Sequence, residues 1–526
     1  MDTKVLRQKI LDLAIRGKLV PQDPNDEPAS VLLERIRQQK QQMVKEGKLK
    51  PKDIKNDSAI FVGEDNLHYE KFADGSVKCI EDEIPFDLPE GWAWARLNQI
   101  YNFIDYRGAT PNKISSGVPL ITAKNVKSGY IDYTIDEYIS EEEYWDRQQR
   151  GTSRLGDVLF TTEAPLGNAA IADIEKFSAG QRLITFQHYG SCVLNNHTFL
   201  YFILSDFFQD QLHTRKTGST VAGIKASILK TLLLPIPPIA EQDKIGEKCE
   251  NLLAVIEEIT NSKQSIISAI PKTKAKILDL AIRGKLVPQD PNDEPASVLL
   301  ERIRAEKEEL IKQGKIKRDK KESVIFRGED NSYYEKMADG KLHCLDDQLP
   351  FELPDGWEWC NLSMIGTTNI GLTYRPTNIE PDGVIVLRSC NIVNDQVDLS
   401  DLVRVKTTIR ENQYVQKNDI LICARNGSRA LVGKCALIPD LGEPASFGAF
   451  MAIYRTEYFE YIVHYLRSSF FRSVFDDSNS TAINQLTQDM LKRAIVPLPP
   501  VFEQRRITET IDAMLFELNQ MEKSLI

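Results

Sequence analysis

Histidine and cysteine are scarce in this chain, with six and eight residues among 526. The cysteines form no C-x-x-C pair and have no histidine at metal-ligand spacing, and the histidines form no cluster along the sequence. The sequence therefore predicts neither a disulfide framework nor a metal site.

Long apolar runs are also missing. No run approaches the roughly 18 residues that a membrane helix needs, and the opening "MDTKVLRQKI" lacks the apolar core of a secretion signal. We therefore expect a cytoplasmic protein with no membrane partner. A content of 42% hydrophobic and 27% charged residues is typical of folded proteins, and the length suffices for several compact domains.

The common catalytic motifs are absent. "GSRALVGKC" has one residue too many for a phosphate-binding loop, and no G-x-S-x-G elbow or H-E-x-x-H pair occurs. "IPPI" and "LPPV" lack the polar lead and aromatic end of the tetrapeptide found in amino-methyltransferases. We expect no catalysis by this chain alone, and the sequence indicates no cofactor.

An excess of positive charge is missing as well, since the formal net charge is -10. This value argues against a protein that coats nucleic acid through bulk electrostatics. Local basic grooves remain open, and so does a DNA partner shared with other subunits.

A tandem repeat dominates what is present. The segment "KILDLAIRGKLVPQDPNDEPASVLLERIR" occupies Lys9–Arg37 and recurs unchanged at Lys276–Arg304. Similarity continues through "FVGEDNLHYEKFADG" against "FRGEDNSYYEKMADG" and "IPFDLPEGWAW" against "LPFELPDGWEW". It then nearly vanishes, and returns at "LPIPPIAEQDKI" against "VPLPPVFEQRRI". The chain is thus one frame used twice around two unlike inserts.

This pattern has two interpretations. A recent duplication, or recombination between the copies, would explain the repeat without any function. The functional interpretation is that the constant segments present one surface twice, to two copies of one partner, while each insert recognises something different.

Long helices follow the proline-rich exits of both inserts. Apolar residues recur at alternating steps of four and three from Ile245 to Leu280, which predicts a coiled-coil helix over 241–283 that Pro271 kinks or splits and Gly284 ends. The C-terminal residues of the chain repeat the start of this apolar pattern, and the N-terminal residues repeat its end. We therefore expect the termini to lie close together and two helical arms to run antiparallel about a pseudo-two-fold axis. Further helices over 28–46 and 295–313 are our main candidates for partner docking.

Each insert reads as a mixed α/β domain. "VPLITA", "DVLFTT", "VIVLRS" and "DILICAR" predict short strands, and "NHTFLYFILSDFFQDQL" and "EYIVHYLRSSFFRSVF" predict helices whose aromatic residues belong to the core. The fold class is therefore α+β, with two mixed domains joined by two long antiparallel coiled-coil arms in a pseudo-two-fold tandem repeat.

Basic and amide side chains lie on the predicted turns of the inserts. Arginine pairs with guanine and asparagine with adenine, while lysine, serine and threonine hold phosphates. The candidate DNA-binding residues of the first insert are Arg107, Thr110, Lys113, Lys124, Asn125, Lys216, Ser219, Thr220 and Lys225. Those of the second insert are Arg375, Thr377, Arg388, Asn391, Arg425, Asn426, Arg429, Asn479, Thr481 and Asn484.

Two similar frames around two unlike inserts resemble the specificity subunit of type I restriction-modification systems. The likeness covers essentially the whole chain and includes the exits Pro235–Gln242 and Pro497–Gln504 and the strand Gly156–Phe160. Asn418 is a small departure, since the first insert has glycine at that point. The additional N-terminal copy of "LDLAIRGKLVPQDP" is similar to one subgroup of this family, in which a conserved region is split between the two ends of the chain.

The resemblance implies a non-catalytic subunit whose inserts each read one half of a bipartite double-stranded DNA target while the helices set the spacer. It also implies two adenine-specific methyltransferase subunits and two ATP-dependent translocating nuclease subunits as partners. The expected segments are a helical docking region (1–60), a connector (61–90), a recognition domain (91–238), the central helix with a second docking segment (239–325), a connector (326–355), a second recognition domain (356–500) and a terminal helix (501–526).

Two rival functions remain open at this stage. The inserts of a bivalent scaffold would bind proteins or peptides and no DNA, and this class fits the acidic charge. A methyltransferase or nuclease with its own recognition domains is the other rival, and the missing catalytic motifs argue against it.

Overall fold

The computed structural model describes residues 2–190, 194–217, 222–316, 318, 322–476 and 485–525. It divides into two compact units, Met1–Ser262 and Lys263–Ile526. Each unit contains one copy of the repeated frame and one insert. The architecture is therefore mixed helix and sheet in two units, as the sequence predicts at this level.

The helices that begin in the first unit are α1 (Thr3–Ile15), α2 (Ala29–Lys45), α3 (Leu97–Ile100), α4 (Glu141–Arg147), α5 (Asn196–Ile203), α6 (Asp206–Arg215), α7 (Ala226–Leu229) and α8 (Ile239–Ile282). Its strands are β1 (Ser58–Val62), β2 (His68–Phe72), β3 (Val77–Cys79), β4 (Ala93–Arg96), β5 (Tyr101–Asp105), β6 (Val118–Ile121), β7 (Tyr138–Ile139), β8 (Val158–Thr162), β9 (Leu166–Ile171), β10 (Ser178–Ala179), β11 (Leu183–His188) and β12 (Leu233–Ile236).

The helices that begin in the second unit are α9 (Ala296–Lys312), α10 (Leu362–Ile365), α11 (Phe459–Arg467), α12 (Ser469–Asp476), α13 (Gln488–Arg493) and α14 (Val501–Leu525). Its strands are β13 (Ser323–Arg327), β14 (Tyr333–Met337), β15 (Leu342–Cys344), β16 (Glu358–Asn361), β17 (Thr367–Ile370), β18 (Ile379–Leu387), β19 (Ile392–Val393), β20 (Gln396–Val397), β21 (Val403–Val405), β22 (Ile420–Cys423), β23 (Cys435–Leu437), β24 (Ala445–Phe447), β25 (Met451–Arg455) and β26 (Ile495–Leu498).

The unlike inserts share one topology. The first contains an antiparallel sheet in the order β5-β11-β8-β9, and the second contains its counterpart in the order β17-β25-β22-β23. A smaller sheet pairs β10 with β6 in parallel in the first insert, and β24 with β18 in parallel in the second. Sequence divergence has therefore changed the side chains and kept the strand order.

The frame closes around each insert through an antiparallel strand pair and a buried carboxylate. Strand β4 pairs with β12, and β16 with β26. The Trp92 indole donates to Glu241 at 2.8 Å, and Gln22 donates to the other oxygen of Glu241 at 3.1 Å. These contacts join three distant sequence motifs, "VPQDP", "GWAW" and "PPIAEQ".

The second unit repeats this closure. Trp357 donates to Glu503 at 3.0 Å, and Gln289 donates to Glu503 at 3.1 Å. Burial raises the pKa of Glu241 and of Glu503 above the usual carboxyl value. The spacing of the "P-x-PP-x-x-EQ" motif at the end of each insert thus has a structural cause. Its glutamate accepts a hydrogen bond from the first tryptophan of the "GWxW" motif at which the insert begins.

Gly17 and Gly284 end the helices that precede this closure. Their φ angles are +64° and +65°, and a Cβ atom would come within 2.4 Å of Pro89 or 2.3 Å of Pro354. A left-handed turn packed this closely excludes other residues. The predicted stop at Gly284 is confirmed in the described structure.

The predicted long helix is continuous over Ile239–Ile282, with Pro271 inside it. Pro271 therefore does not split the helix, although it removes one backbone donor. Ile270 and Ile277, on either side of Pro271 in the sequence, are buried. Ile259 and Ile266, which the apolar pattern also includes, are exposed.

The aromatic helices of the inserts are each divided in two. Ser205 separates α5 from α6 and caps α6 by accepting from the Phe208 amide at 3.4 Å, and Ser468 accepts from the Phe471 amide in the same way at 3.3 Å. The predicted core role of the aromatic residues is confirmed, since Phe199 and Tyr465 are fully buried.

The predicted docking helices are present as α2 and α9, within about a residue of the expected bounds. Lys40 of α2 is buried and pairs with Asp57 at 2.7 Å, and Lys307 of α9 pairs with Glu322 at 2.6 Å. Burial lowers the pKa of Lys40. Each helix is thus fixed next to the first strand of a three-stranded sheet, β1-β2-β3 or β13-β14-β15.

Candidate nucleic-acid interface

Four loops of the first insert converge at one end of its sheets. The amide of Gly180, after β10, donates to Ile121 of β6 at 2.7 Å. The amide of Thr162, at the end of β8, donates to Arg182 at 3.0 Å, and the Ile224 amide donates to Thr162 at 3.0 Å. Residues 122–127, 163–165 and 180–182 follow these strands, and residues 222–225 precede α7. Together we call them the first loop cluster.

The second insert has the same convergence. The amide of Gly448 donates to Leu387 of β18 at 2.9 Å, the Arg425 amide donates to Phe450 at 3.0 Å, and the Leu486 amide donates to Ala424 at 2.7 Å. Residues 388–391, 424–429, 448–450 and 485–486 form the second loop cluster.

Equivalent positions of the two clusters carry different chemistry. Glu163 forms an isolated backbone bridge with Gly223, and Arg425 forms the corresponding bridge with Gln485, so Glu163 and Arg425 are counterparts. Glu163 pairs with Arg182 at 3.1 Å. At the corresponding place in the second cluster, the Arg425 guanidinium lies 5.6 Å from the centre of the Phe450 ring.

Phe450 is 62% exposed, although aromatic rings usually bury most of their surface. The arginine above it is exposed too. An exposed arginine and ring offer a planar guanidinium for guanine and an apolar surface for a thymine methyl group or a base face. The Glu163–Arg182 pair offers an acceptor for cytosine and a second guanidinium.

Asn125 and Asn391 hold loops inside the protein. Both are 1% exposed. The Asn125 amide nitrogen donates to the carbonyls of Asp132 and Ile135, and the Asn391 amide nitrogen donates to those of Asp398 and Asp401. Each oxygen accepts a backbone amide three residues earlier. The sequence predicts that both contact DNA. In the structure, their side-chain amide groups form hydrogen bonds with the backbone of their own loops.

Several other predicted residues are engaged by neighbouring side chains. These contacts are Arg107 with Asp105, Lys113 with Glu137, Thr110 with Gln181, Arg388 with Asp401, and Asn426 with Ser389. The Thr110 bond brings the loop after β5 to the first cluster, and the Asn426 bond joins two loops of the second. These side chains are held at the clusters or near them.

The remaining predicted residues are exposed or lie outside the described part of the chain. The exposed ones are Lys124, Lys216, Lys225, Arg375, Thr377, Arg425 and Arg429. Those outside the described residues are Ser219, Thr220, Asn479, Thr481 and Asn484.

Sequence reasoning missed Glu163, Arg182 and Phe450. Glu163 directly follows the predicted strand "DVLFTT", and this position was the available signal. Arg182 and Phe450 reach the clusters because β10 lies beside β6 and β24 beside β18, and the sequence does not reveal this pairing.

The opposite end of the central strands also differs between inserts. Asp157 before β8 accepts from Gln187 at 2.9 Å, and burial raises the pKa of Asp157 to about 6. The corresponding Asp419 before β22 receives two hydrogen bonds of 2.6 Å from the Arg455 guanidinium. One insert therefore buries a carboxyl group with a neutral partner, and the other buries an ion pair.

Across the described residues, His, Cys, Asp and Glu side chains form no group of three or more suited to a metal ion. No helix in the described part of the chain combines the length and apolar composition that crossing a membrane requires.

Comparison with known proteins identifies the inserts and their exits. The family model described as "Type I restriction modification DNA specificity domain" matches residues 89–268 and 354–526. The specificity subunit of the type I restriction enzyme EcoAI from Escherichia coli is 28% identical over 99% of this chain and 90% of its own length. The EcoEI specificity subunit from the same species is 27% identical over the same shares.

A solved structure supports the fold. A chain from a study of complex assembly and conformational transition in a type I restriction-modification system has a TM-score of 0.51 and 18% identity, covering 84% of this chain and 94% of its own. The family model covers each insert, the first part of α8 and all of α14. The chain therefore belongs to the family of type I restriction-modification DNA specificity subunits.

Proposed function

We propose that each insert reads one half of a bipartite DNA target through its loop cluster. The observation that carries this proposal concerns two pairs of equivalent positions. Glu163 of the first insert corresponds to Arg425 of the second, and Arg182 corresponds to Phe450. A shared strand order with exchanged tip residues is what two readers of different sequences need. The recognition domains extend over 91–238 and 356–500.

The candidate contacts divide by chemistry. Arg182, Arg425 and Glu163 have the groups that pair with base edges, and Phe450 has an apolar ring for a methyl group or a base face. Exposed Lys124, Lys216 and Lys225 suit phosphates, as do Arg375 and Arg429. Asn125 and Asn391 support the loops of this proposed interface from inside. The residues outside the described structure remain predictions.

We further propose that the long helices form antiparallel coiled-coil arms that set the unread spacer. Two recognition domains held apart in this way suit half-sites about one helical turn, roughly 34 Å, from each other. Inserting a heptad in an arm should lengthen the spacer in the methylated motif. An unchanged spacer would remove the ruler role.

The proposed assembly is cytoplasmic and contains two methyltransferase subunits on the repeated frame and two translocating nuclease subunits. This chain contributes recognition and no catalysis. Its net charge of -10 fits such an assembly, because partners that enclose the duplex can neutralise the phosphates. The isolated chain should accordingly bind DNA weakly.

The test is to co-express the chain with its methyltransferase, measure the stoichiometry and footprint the complex on DNA. Two methyltransferases per chain and protection of two separated short sequences support the proposal. A complex without protected DNA favours a bivalent protein scaffold instead. Nanomolar sequence-specific binding by the purified chain alone would contradict the shared-partner account.

A further inference from the structure

The three-stranded sheets of the two frames each expose one face. In the first, Phe61 pairs across strands with Tyr69, which pairs with Cys79, while Ala59 and Val77 both pair with Lys71. Cross-strand partners share a face of a sheet. We call these six residues the first outer face. The second outer face consists of Val324, Phe326, Tyr334, Lys336, Leu342 and Cys344.

The inner face of each sheet points into the protein at its centre. Glu70, on the inner side of β2, is buried and pairs with Arg96 at 2.7 Å. Its counterpart Glu335 receives hydrogen bonds from Ser323 and Asn361 instead. Even a buried ion pair has therefore changed between the two frames.

The outer faces have changed less. Phenylalanine, tyrosine, lysine and cysteine recur at the same four positions, and the other two positions stay apolar, with alanine replaced by valine and valine by leucine. On the inner side, His68 has become Tyr333 and Phe72 has become Met337. Packing does not require the residues of a solvated face to stay the same in both copies. Because the outer faces agree at least as well as the inner faces, we expect the outer faces to have a function.

The side chains of the outer faces are also held alike. The rings of Phe61 and Tyr69 stack with centroids 5.9 Å apart, and those of Phe326 and Tyr334 with centroids 6.0 Å apart. Each tyrosine hydroxyl donates at 2.7 Å to an aspartate in the preceding turn. Phe61 is 43% exposed and Phe326 is 37% exposed. The result is a preformed apolar ridge that loses little side-chain entropy on binding.

Acidic turns border both ridges. The motif "GEDN" precedes β2 and β14, and "ADG" follows each of them, so carboxylates stand at both ends of the central strand. Hydrogen bonds to Tyr69 and to the Leu67 amide lower the pKa of Asp65, and hydrogen bonds to Ser76 lower that of Asp74, so both stay ionised at neutral pH. Such a border repels phosphates and attracts basic side chains.

We propose that the two outer faces are docking surfaces for the methyltransferase subunits, one on each frame, and that the docked surface combines apolar side chains with a basic border. This inference rests on the proposed function for the identity of the partner. A partner present twice accounts for a surface kept twice, whereas the two DNA halves differ. The sheets lie outside the residues that the family model matches, and this places the surface beyond the recognition domains.

Thiol labelling of the unmodified chain provides the test. Cys79 and Cys344 are exposed on the two faces, while Cys249 and Cys360 are buried. The chain alone and its complex with the methyltransferase, both without DNA, are treated with iodoacetamide, and each site is quantified by peptide mass spectrometry. We expect the labelling of Cys79 and Cys344 to slow at least about tenfold in the complex, because a docked interface core excludes solvent. Unlabelled Cys249 and Cys360 show that the fold is intact.

Variants test the energetic role of the ridges. Phe61→Ser should reduce the stoichiometry from two methyltransferases to one, Phe326→Ser should do the same, and the double variant should bind neither subunit tightly. Phe502→Ser is the matched control, because Phe502 is 59% exposed and its counterpart in the first unit is Ala240. The control should retain two methyltransferases.

The outcomes separate this inference from the proposed function. A two-to-one complex in which Cys79 and Cys344 keep their free labelling rates overturns the docking surface and leaves the specificity function standing. Failure to form any complex with the methyltransferase overturns both. Slowed labelling at both cysteines together with loss of binding in the serine variants supports the inference.

Discussion

The two units close their frames with the same hydrogen bonds and build their loop clusters from different side chains. The Trp–Glu bond is 2.8 Å in one unit and 3.0 Å in the other, and the Gln–Glu bond is 3.1 Å in both. At the tips of the inserts, by contrast, a Glu–Arg pair corresponds to an Arg–Phe contact. The difference shows which part of the molecule can vary: the closure fixes the position of an insert, and the tip determines what the insert contacts.

Removing the ion pair from the second insert should have the largest effect on this comparison. Arg455→Gln leaves Asp419, which is 1% exposed, without its charged partner, and should destabilise the second unit by about 3–5 kcal/mol. Hydrogen exchange measured by mass spectrometry reports each unit separately. An equal loss of protection in both units would show that the inserts are not independent.

The first insert should respond to pH at the corresponding site. Because the pKa of Asp157 is raised to about 6 in the folded state, its contribution to stability is present below the unfolded value of 3.8 and is lost as pH rises through about 6. Asp157→Asn should therefore stabilise the first unit on the order of 2–3 kcal/mol at pH 8 and have little effect at pH 4.

Gln187→Arg provides the reciprocal change. It supplies Asp157 with the guanidinium that Asp419 already has, and it should stabilise the first unit above pH 6. Hydrogen exchange of the first unit at pH 5 and pH 8 checks both variants. A gain that is the same at the two pH values would contradict the assignment to Asp157.

Changing one cluster should alter one half of the target. Arg425→Ala should reduce discrimination at one base pair by roughly 1–3 kcal/mol if its guanidinium pairs with guanine. Sequencing of methylated sites measures this change. The matched variant Arg182→Ala should act on the other half, and unaltered specificity in both variants would remove the two clusters from the interface.

The smallest effect should come from the closure, and it should be equal in the two units. Gln22→Ala and Gln289→Ala each remove one donor from a buried glutamate and should cost about 1–2 kcal/mol. Comparing the exchange protection of β4 and β16 tests the equality. A large difference between the two losses of protection would show that the two closures differ in energy despite their matching hydrogen bonds.

Much of the fold could be predicted because the repeat makes the frame visible. Gly284 ends α8 as the sequence predicts, and its repeat Gly17 ends α1 in the same way. The tryptophans and glutamates that close the frames also stand out in the sequence as repeated motifs. The breaks at Ser205 and Ser468 were not predicted, because apolar periodicity continues through them. The available signal was the serine itself, since serine is a preferred N-cap residue and its capping bond is local in sequence.

The candidate site could be predicted only in part. Arg425 is the last residue of the predicted strand "DILICAR", and the structure places it in the second loop cluster. Asn125 and Asn391 looked like exposed loop amides, because sequence does not distinguish an amide that faces solvent from one that closes its own turn. Arg182 and Phe450 were missed because their position depends on a parallel strand pair, which brings together segments distant along the chain.

The most direct test of the account replaces residues 356–500 with a copy of 91–238, joined at the equivalent glycine and proline positions. If the frame is one scaffold used twice, the co-expressed complex should methylate a target in which the first half-site occurs twice in opposite orientations. A methylated motif that stays asymmetric, or a folded complex with two methyltransferases that methylates no defined sequence, would contradict the account.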